Sequence, residues 1–115
     1  MAIKLYGIPN CDTVKKAINF LKSKEIEYTF VNFKKEPPSP SNIKSWEDDL
    51  GEVPVNKKGP TFRKVKESFE AAGKVEQRKI LCQNTSAIKR PLLEINGKVK
   101  LMGFNEDSFS KALKL

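Results

Sequence analysis

Apolar and polar positions alternate at the start of the chain, where Ile3 and Leu5 flank Lys4. That period of two predicts a strand over residues 3–7. Gly7-Ile8-Pro9-Asn10 breaks the pattern, and a period near 3.6 replaces it. From Asp12 or Thr13 to about Lys24, Val14, Ala17, Ile18 and Leu21 fall on one face, while Lys15, Lys16, Lys22 and Lys24 fall on the other. This spacing predicts an amphipathic helix. Tyr28 to Phe33 is rich in aromatic and β-branched residues and predicts a second strand. Strand, helix and strand within about 30 residues form a βαβ unit, which calls for parallel strands and a right-handed crossover.

Beyond it the pattern changes again. Glu36-Pro37-Pro38-Ser39-Pro40 stops the strand, and Ser39 or Ser41 caps a helix over roughly 41–50, which Gly51 ends. Asn56-Lys57-Lys58-Gly59-Pro60 reads as a turn. Helices follow near 64–72 and 75–84, separated by Gly73. Residues 90–102 hold two apolar runs around Asn96-Gly97, the dipeptide that best marks a tight hairpin. Gly103 ends the hairpin, and Asn105 caps a last helix through Phe109 and Leu113. The order is β-α-β, several helices, then β-β-α, read as one domain over 1–115.

Composition narrows the function classes. No apolar run approaches the ~20 residues of a membrane span. The N-terminus enters a strand directly, without a leader-like stretch, so the expectation is a cytoplasmic protein that makes no membrane contact. Lys and Arg number 22 against 14 Asp and Glu, a formal charge of +8. The lysines are dispersed and no RNA-binding motif accompanies them, so the charge favours small anions over nucleic acid. Histidine is absent, which excludes Ser-His-Asp and Cys-His catalysis. Two cysteines without histidine make no zinc set, so no metal is expected. In a reducing cytosol they are not expected to form a lasting disulfide.

Cys11 is the leading candidate for chemistry. It follows a Pro-Asn turn and precedes a helix, where free backbone N–H groups and the helix dipole favour thiolate over thiol. The thiolate is the nucleophile. Lys15 lies one helical turn further on, within reach of the thiolate or an incoming anion. Arg63 and Arg90 are two of only three arginines, and their planar guanidinium forks suit oxyanions and carboxylates. Cys82, in Ile80-Leu81-Cys82, reads as part of a buried helix face, with a resolving thiol as the rival reading.

Four segments together resemble the arsenate-reductase-like family, which groups ArsC, Spx and YffB-type proteins. They are Leu5 to Ala17, Gly59-Pro60-Thr61-Phe62-Arg63-Lys64, Ile88-Lys89-Arg90-Pro91-Leu92-Leu93 and Gly103-Phe104. The wording is nearest the YffB-type branch. The resemblance implies an α/β thioredoxin-like fold, a four-stranded mixed sheet flanked by helices, with a helical insertion between the second and third strands. It implies Cys11 as nucleophile, Arg63 and Arg90 as binders of an oxyanion or a glutathione carboxylate, and Pro91 as a cis-proline beside the site. It further implies a thiol oxidoreductase with no bound cofactor. Glutathione is then the co-substrate, and the mixed disulfide on Cys11 is resolved by glutathione or glutaredoxin. The substrate is a disulfide or a small oxyanion, arsenate included.

Departures from the family pattern matter as well. Arsenate reductases of this kind carry a third arginine near the place of Gly103, a histidine in place of Gly7 and a serine in place of Val14. Spx-type regulators often carry a second cysteine where this chain has Val14. The alternative expectation is an Spx-like regulator that binds RNA polymerase without enzymatic activity. A binding module that keeps the fold without the chemistry is a third.

Overall fold

The four strands form one mixed sheet in the order β2-β1-β3-β4. In the computed structural model, which describes residues 1–115, the elements are β1 (Ile3–Gly7), α1 (Asp12–Ser23), β2 (Thr29–Asn32), α2 (Pro40–Leu50), α3 (Pro60–Ala71), α4 (Lys74–Gln83), β3 (Leu92–Ile95), β4 (Lys98–Met102) and α5 (Glu106–Ala112). A single 3₁₀ turn, Thr85–Ala87, joins α4 to β3. β1 and β2 run parallel, as the crossover through α1 requires. β3 lies antiparallel to both β1 and β4. The α2–α4 insertion lies between β2 and β3. No helix is long and apolar enough to cross a membrane.

Alternation along the strands divides the core between the two faces of the sheet. Leu92 packs with Ile43, Trp46, Leu81 and Val99 under the inserted helices. Its neighbour Leu93 packs with Leu5, Ala17, Leu21 and Phe109 under α1 and α5. Both leucines are fully buried, so β3 is the strand around which both cores are built.

Local chemistry sets the element ends. Ser39 caps α2: its Oγ accepts the Asn42 N–H at 3.1 Å, and Asn42 Oδ1 accepts the Ser39 N–H at 2.9 Å. Gly51 closes that helix at φ 79°. Asn96 and Gly97 take φ 51° and 85°, the positive pair that a tight hairpin needs. Asn105 Oδ1 accepts the Ser108 N–H at 3.0 Å and starts α5.

Several limits differ from the sequence expectation. α3 starts at Pro60, four residues early, because a proline at the first helical position loses no hydrogen bond. β2 is trimmed to four residues. On α1 the fourth buried residue is Phe20, and Ile18 is only half-buried. One link has no forerunner in the pattern. Val55 forms an isolated antiparallel bridge with Ile88, carried by Asn56 N–H to Ala87 O at 2.7 Å and Lys89 N–H to Pro54 O at 3.0 Å. This stitch ties the loop before α3 to the run that enters β3.

Candidate active site

The site is built where β1 hands over to α1. Cys11 is the N-cap of α1, with extended backbone at φ −141° and ψ 122°. Its carbonyl accepts the Lys15 N–H at 2.9 Å and begins the helix. Gly7 explains how the helix sits so close: a Cβ on it would lie 2.8 Å from Cγ2 of the fully buried Val14. The bare glycine lets the first turn of α1 press onto the end of β1, which fixes where the half-buried Cys11 emerges.

The Cys11 thiol is held below its ordinary pKa. Burial works against the thiolate. The Val14 N–H, the Arg90 side chain and its positive charge, and the Thr13 N–H outweigh it. The helix N-terminus and one guanidinium thus share the task. Cys82 behaves in the opposite way. It is half-buried on α4, and burial pushes its thiol up. Both cysteines are free.

Arg90 is locked in place by main-chain carbonyls. Its Nη1 donates to Ser86 O at 2.7 Å and Ile88 O at 3.0 Å, with Thr85 O further away at 3.5 Å. The 3₁₀ turn and the residue after it therefore act as a socket for one end of the guanidinium. Its Nε is buried and has no protein partner. The anion nearest to this guanidinium is the Cys11 thiolate, which the Arg90 side chain stabilises. The Arg90–Pro91 bond is cis, and Pro91 O accepts the Gly103 N–H at 2.8 Å, which docks the segment against the end of β4.

The other two predicted cations stand apart. Lys15 is exposed on α1, and Arg63 is exposed on the first turn of α3. Neither makes an ion pair, and neither contributes to the lowered pKa of Cys11. Arg63's neighbour Phe62 is buried in the core under the inserted helices, the cluster to which Ile8 of the turn before Cys11 also belongs. Ser86 and its carbonyl socket were missed from the sequence, because main-chain acceptors leave no residue-type mark. No group of three or more His, Cys, Asp or Glu side chains converges to hold a metal.

This geometry meets the comparisons with known proteins. Residues 6–112 match the ArsC family. The chain belongs to that family. An uncharacterized protein of Haemophilus influenzae is 35% identical over 112 residues, covering 96% of this chain and 97% of its own. The solved structure named YFFB (PA3664) protein is 33% identical, with a TM-score of 0.87 over 97% of this chain and 99% of that one. An ArsC-related protein from Brucella melitensis is also 33% identical, with a TM-score of 0.72 over 100% and 97% of the two chains. An arsenate reductase from Vibrio cholerae shares the fold at 15% identity, with a TM-score of 0.79 over 99% and 97%. This ArsC-family chain thus has a thioredoxin-like α/β fold, and the match extends through the Cys11, Arg63 and Arg90 segments.

Proposed function

We propose that this ArsC-family chain is a thiol oxidoreductase that uses Cys11 as a single nucleophile and glutathione as co-substrate. The observation that carries the reading is the pairing of a thiol held toward thiolate with a carbonyl-locked guanidinium that acts on it. The thiolate attacks the glutathionyl sulfur of a mixed disulfide RS–SG. The RS–SG bond breaks, RS⁻ leaves and takes a proton, and Cys11–S–SG forms. A second glutathione thiolate, free or delivered with glutaredoxin, attacks that glutathionyl sulfur and releases the Cys11 thiolate with glutathione disulfide. Two glutathionyl sulfurs are joined, and one substrate thiol is regenerated.

Arg90 favours a carboxylate or oxyanion at the sulfur through its positive charge, held in a fixed orientation by the carbonyl socket. Arg63 and Lys15, exposed and without ion pairs, supply further attraction to the carboxylates of glutathione. Pro91 keeps Arg90 and the entry to β3 beside the thiol. The same anion-binding donors suit arsenate, a narrower use of the site. A reaction that draws on reduced glutathione places the protein in the cytoplasm.

The test is turnover of a glutathionylated peptide at fixed glutathione concentration. Wild-type protein is expected to release the peptide thiol, and Cys11→Ser to release none. Glutathione disulfide should add one glutathionyl mass to Cys11 in a Cys82→Ala background. A fully active Cys11→Ser protein sinks the proposal.

A further inference from the structure

Next to Arg90 the surface holds a second feature, which the thiol chemistry does not use. A cavity of about 510 Å³ has Lys57, Lys58 and Lys89 on its rim. Its floor includes Val53, Val55, Phe69 and Met102. The three lysines are exposed, and none makes an ion pair. Glu52 is the one carboxylate in the lining. A smaller cavity of about 190 Å³, lined by Gly103, Phe104 and Asn105, shares Lys89 and Met102 with the first. The larger cavity is a groove with an apolar base and a cationic edge.

The groove is built into the fold. The Val55–Ile88 stitch ties the Lys57-Lys58 turn to Lys89, the residue before Arg90. Asn56 Oδ1 accepts the Lys58 N–H at 3.2 Å and shapes that turn. Gly103, at φ 82°, leaves room for the aliphatic stem of Lys89, whose Cε lies 3.2 Å from where a Cβ would be. The edge of the groove therefore lies one residue from the guanidinium that acts on the Cys11 sulfur.

We infer that this groove docks an extended acidic peptide segment, with an apolar side chain on the Val53–Phe69–Met102 floor and carboxylates at Lys57, Lys58 and Lys89. Charge complementarity selects the occupant: three unpaired ammonium groups against one carboxylate favour an anionic chain. The shape favours a peptide over a compact anion, because a cavity of about 510 Å³ with four apolar residues in its lining offers footing that a compact anion does not use. Within the larger cavity the aromatic faces on which a nucleic acid would stack its bases are missing, since Phe69 is its only ring and is buried. The inference rests on the thiol-exchange reading for what the segment carries, a cysteine disulfide to be presented to Cys11.

Docking is tested on Cys11→Ser protein, so that it is read apart from the chemistry. The probe is a fluorescein-labelled peptide of about eight residues alternating Glu with Leu, roughly 26 Å when extended. Its anisotropy is compared with that of a Lys/Leu peptide of the same length. The acidic peptide is expected to bind, and to weaken as salt rises from about 0.05 M to about 0.5 M. Each of Lys57→Gln, Lys58→Gln and Lys89→Gln should weaken it by roughly twofold to fivefold. Equal binding of the two peptides, an unchanged affinity in the triple variant, or tighter binding of a single-stranded oligonucleotide of equal charge overturns the inference. Wild-type turnover of a glutathionylated Gly/Ser peptide provides the separate reading. Turnover without acidic binding removes the groove proposal alone, and acidic binding without turnover removes the thiol proposal alone.

Discussion

Cys11 and Cys82 are the same residue type placed in opposite surroundings, and their reactivity should separate accordingly. Cys11 faces the Val14 and Thr13 N–H groups and Arg90, whereas Cys82 meets only burial. Iodoacetamide near neutral pH should therefore modify Cys11 first and leave Cys82 largely intact, as followed by peptide mass spectrometry. The pH midpoint of Cys11 alkylation should lie below that of an unperturbed thiol, and Arg90→Ala should raise it by removing a donor and a charge. An Arg90→Ala profile that superimposes on the wild type would show the helix N-terminus acting alone. The sequence disclosed Cys11 because a turn-then-helix placement has a physical meaning for a thiol. It also pointed to Arg90, but not to what locks it, since the Ser86 and Ile88 carbonyls are main-chain groups brought near by a 3₁₀ turn. Lys15 and Arg63 were legible as cations, and their exposed, unpaired state became readable only in three dimensions.

At the scale of elements, the β1–α1 junction depends on a glycine that a methyl group would crowd. Gly7→Ala would place a methyl group 2.8 Å from Val14 Cγ2 and 3.3 Å from Cγ1, and Val14 is fully buried and, being β-branched on a helix, stiff at χ1. The expected cost is about 1–3 kcal/mol in urea unfolding, with the Cys11 alkylation midpoint displaced as α1 moves off the sheet. Adding Val14→Ala should recover part of the crowding cost in a double-mutant cycle. A second joint ties α2 to α4. Glu47 is buried and takes a two-pronged contact from Arg78, with Nε to Oε1 and Nη2 to Oε2 both at 3.2 Å. Glu47→Gln strands the partly buried guanidinium and should cost about 3 kcal/mol, whereas Glu47→Leu with Arg78→Leu should cost far less. Most elements themselves were legible: β1 and the Asn96-Gly97 hairpin carry their own period and turn chemistry. The Val55–Ile88 bridge was not, because it joins residues 33 positions apart without periodicity or a turn residue to mark it.

Across the whole molecule, one sheet carries two cores, and the thiol follows the end of β1, one of its two inner strands, where both cores bear on it. Ile8 belongs to the cluster under the inserted helices, and Leu5 to the cluster under α1 and α5. Unfolding either core therefore releases Cys11 from the groups that favour its thiolate, so the state of that one proton is coupled to global stability. The native pKa of Cys11 lies below its ordinary value, so between the two values the unfolded chain binds more protons than the native one. Stability must then rise with pH through that window and level off above the unfolded thiol value of about 8.5. Cys82 and Tyr6 act with the opposite sign. Their pKa values are raised by burial, and for Tyr6 by the hydrogen bond to Glu94 as well, so each removes stability as pH climbs past its unfolded value. A Cys82→Ala background takes the nearer of these away. In it, urea unfolding from pH 6 to 9 should show the protein gaining stability over its Cys11→Ser counterpart as pH rises, with one cooperative transition throughout. A difference that stays flat with pH would mean that the native Cys11 proton is held no differently from that of an unfolded thiol, and the electrostatic basis for a nucleophilic Cys11 would go with it.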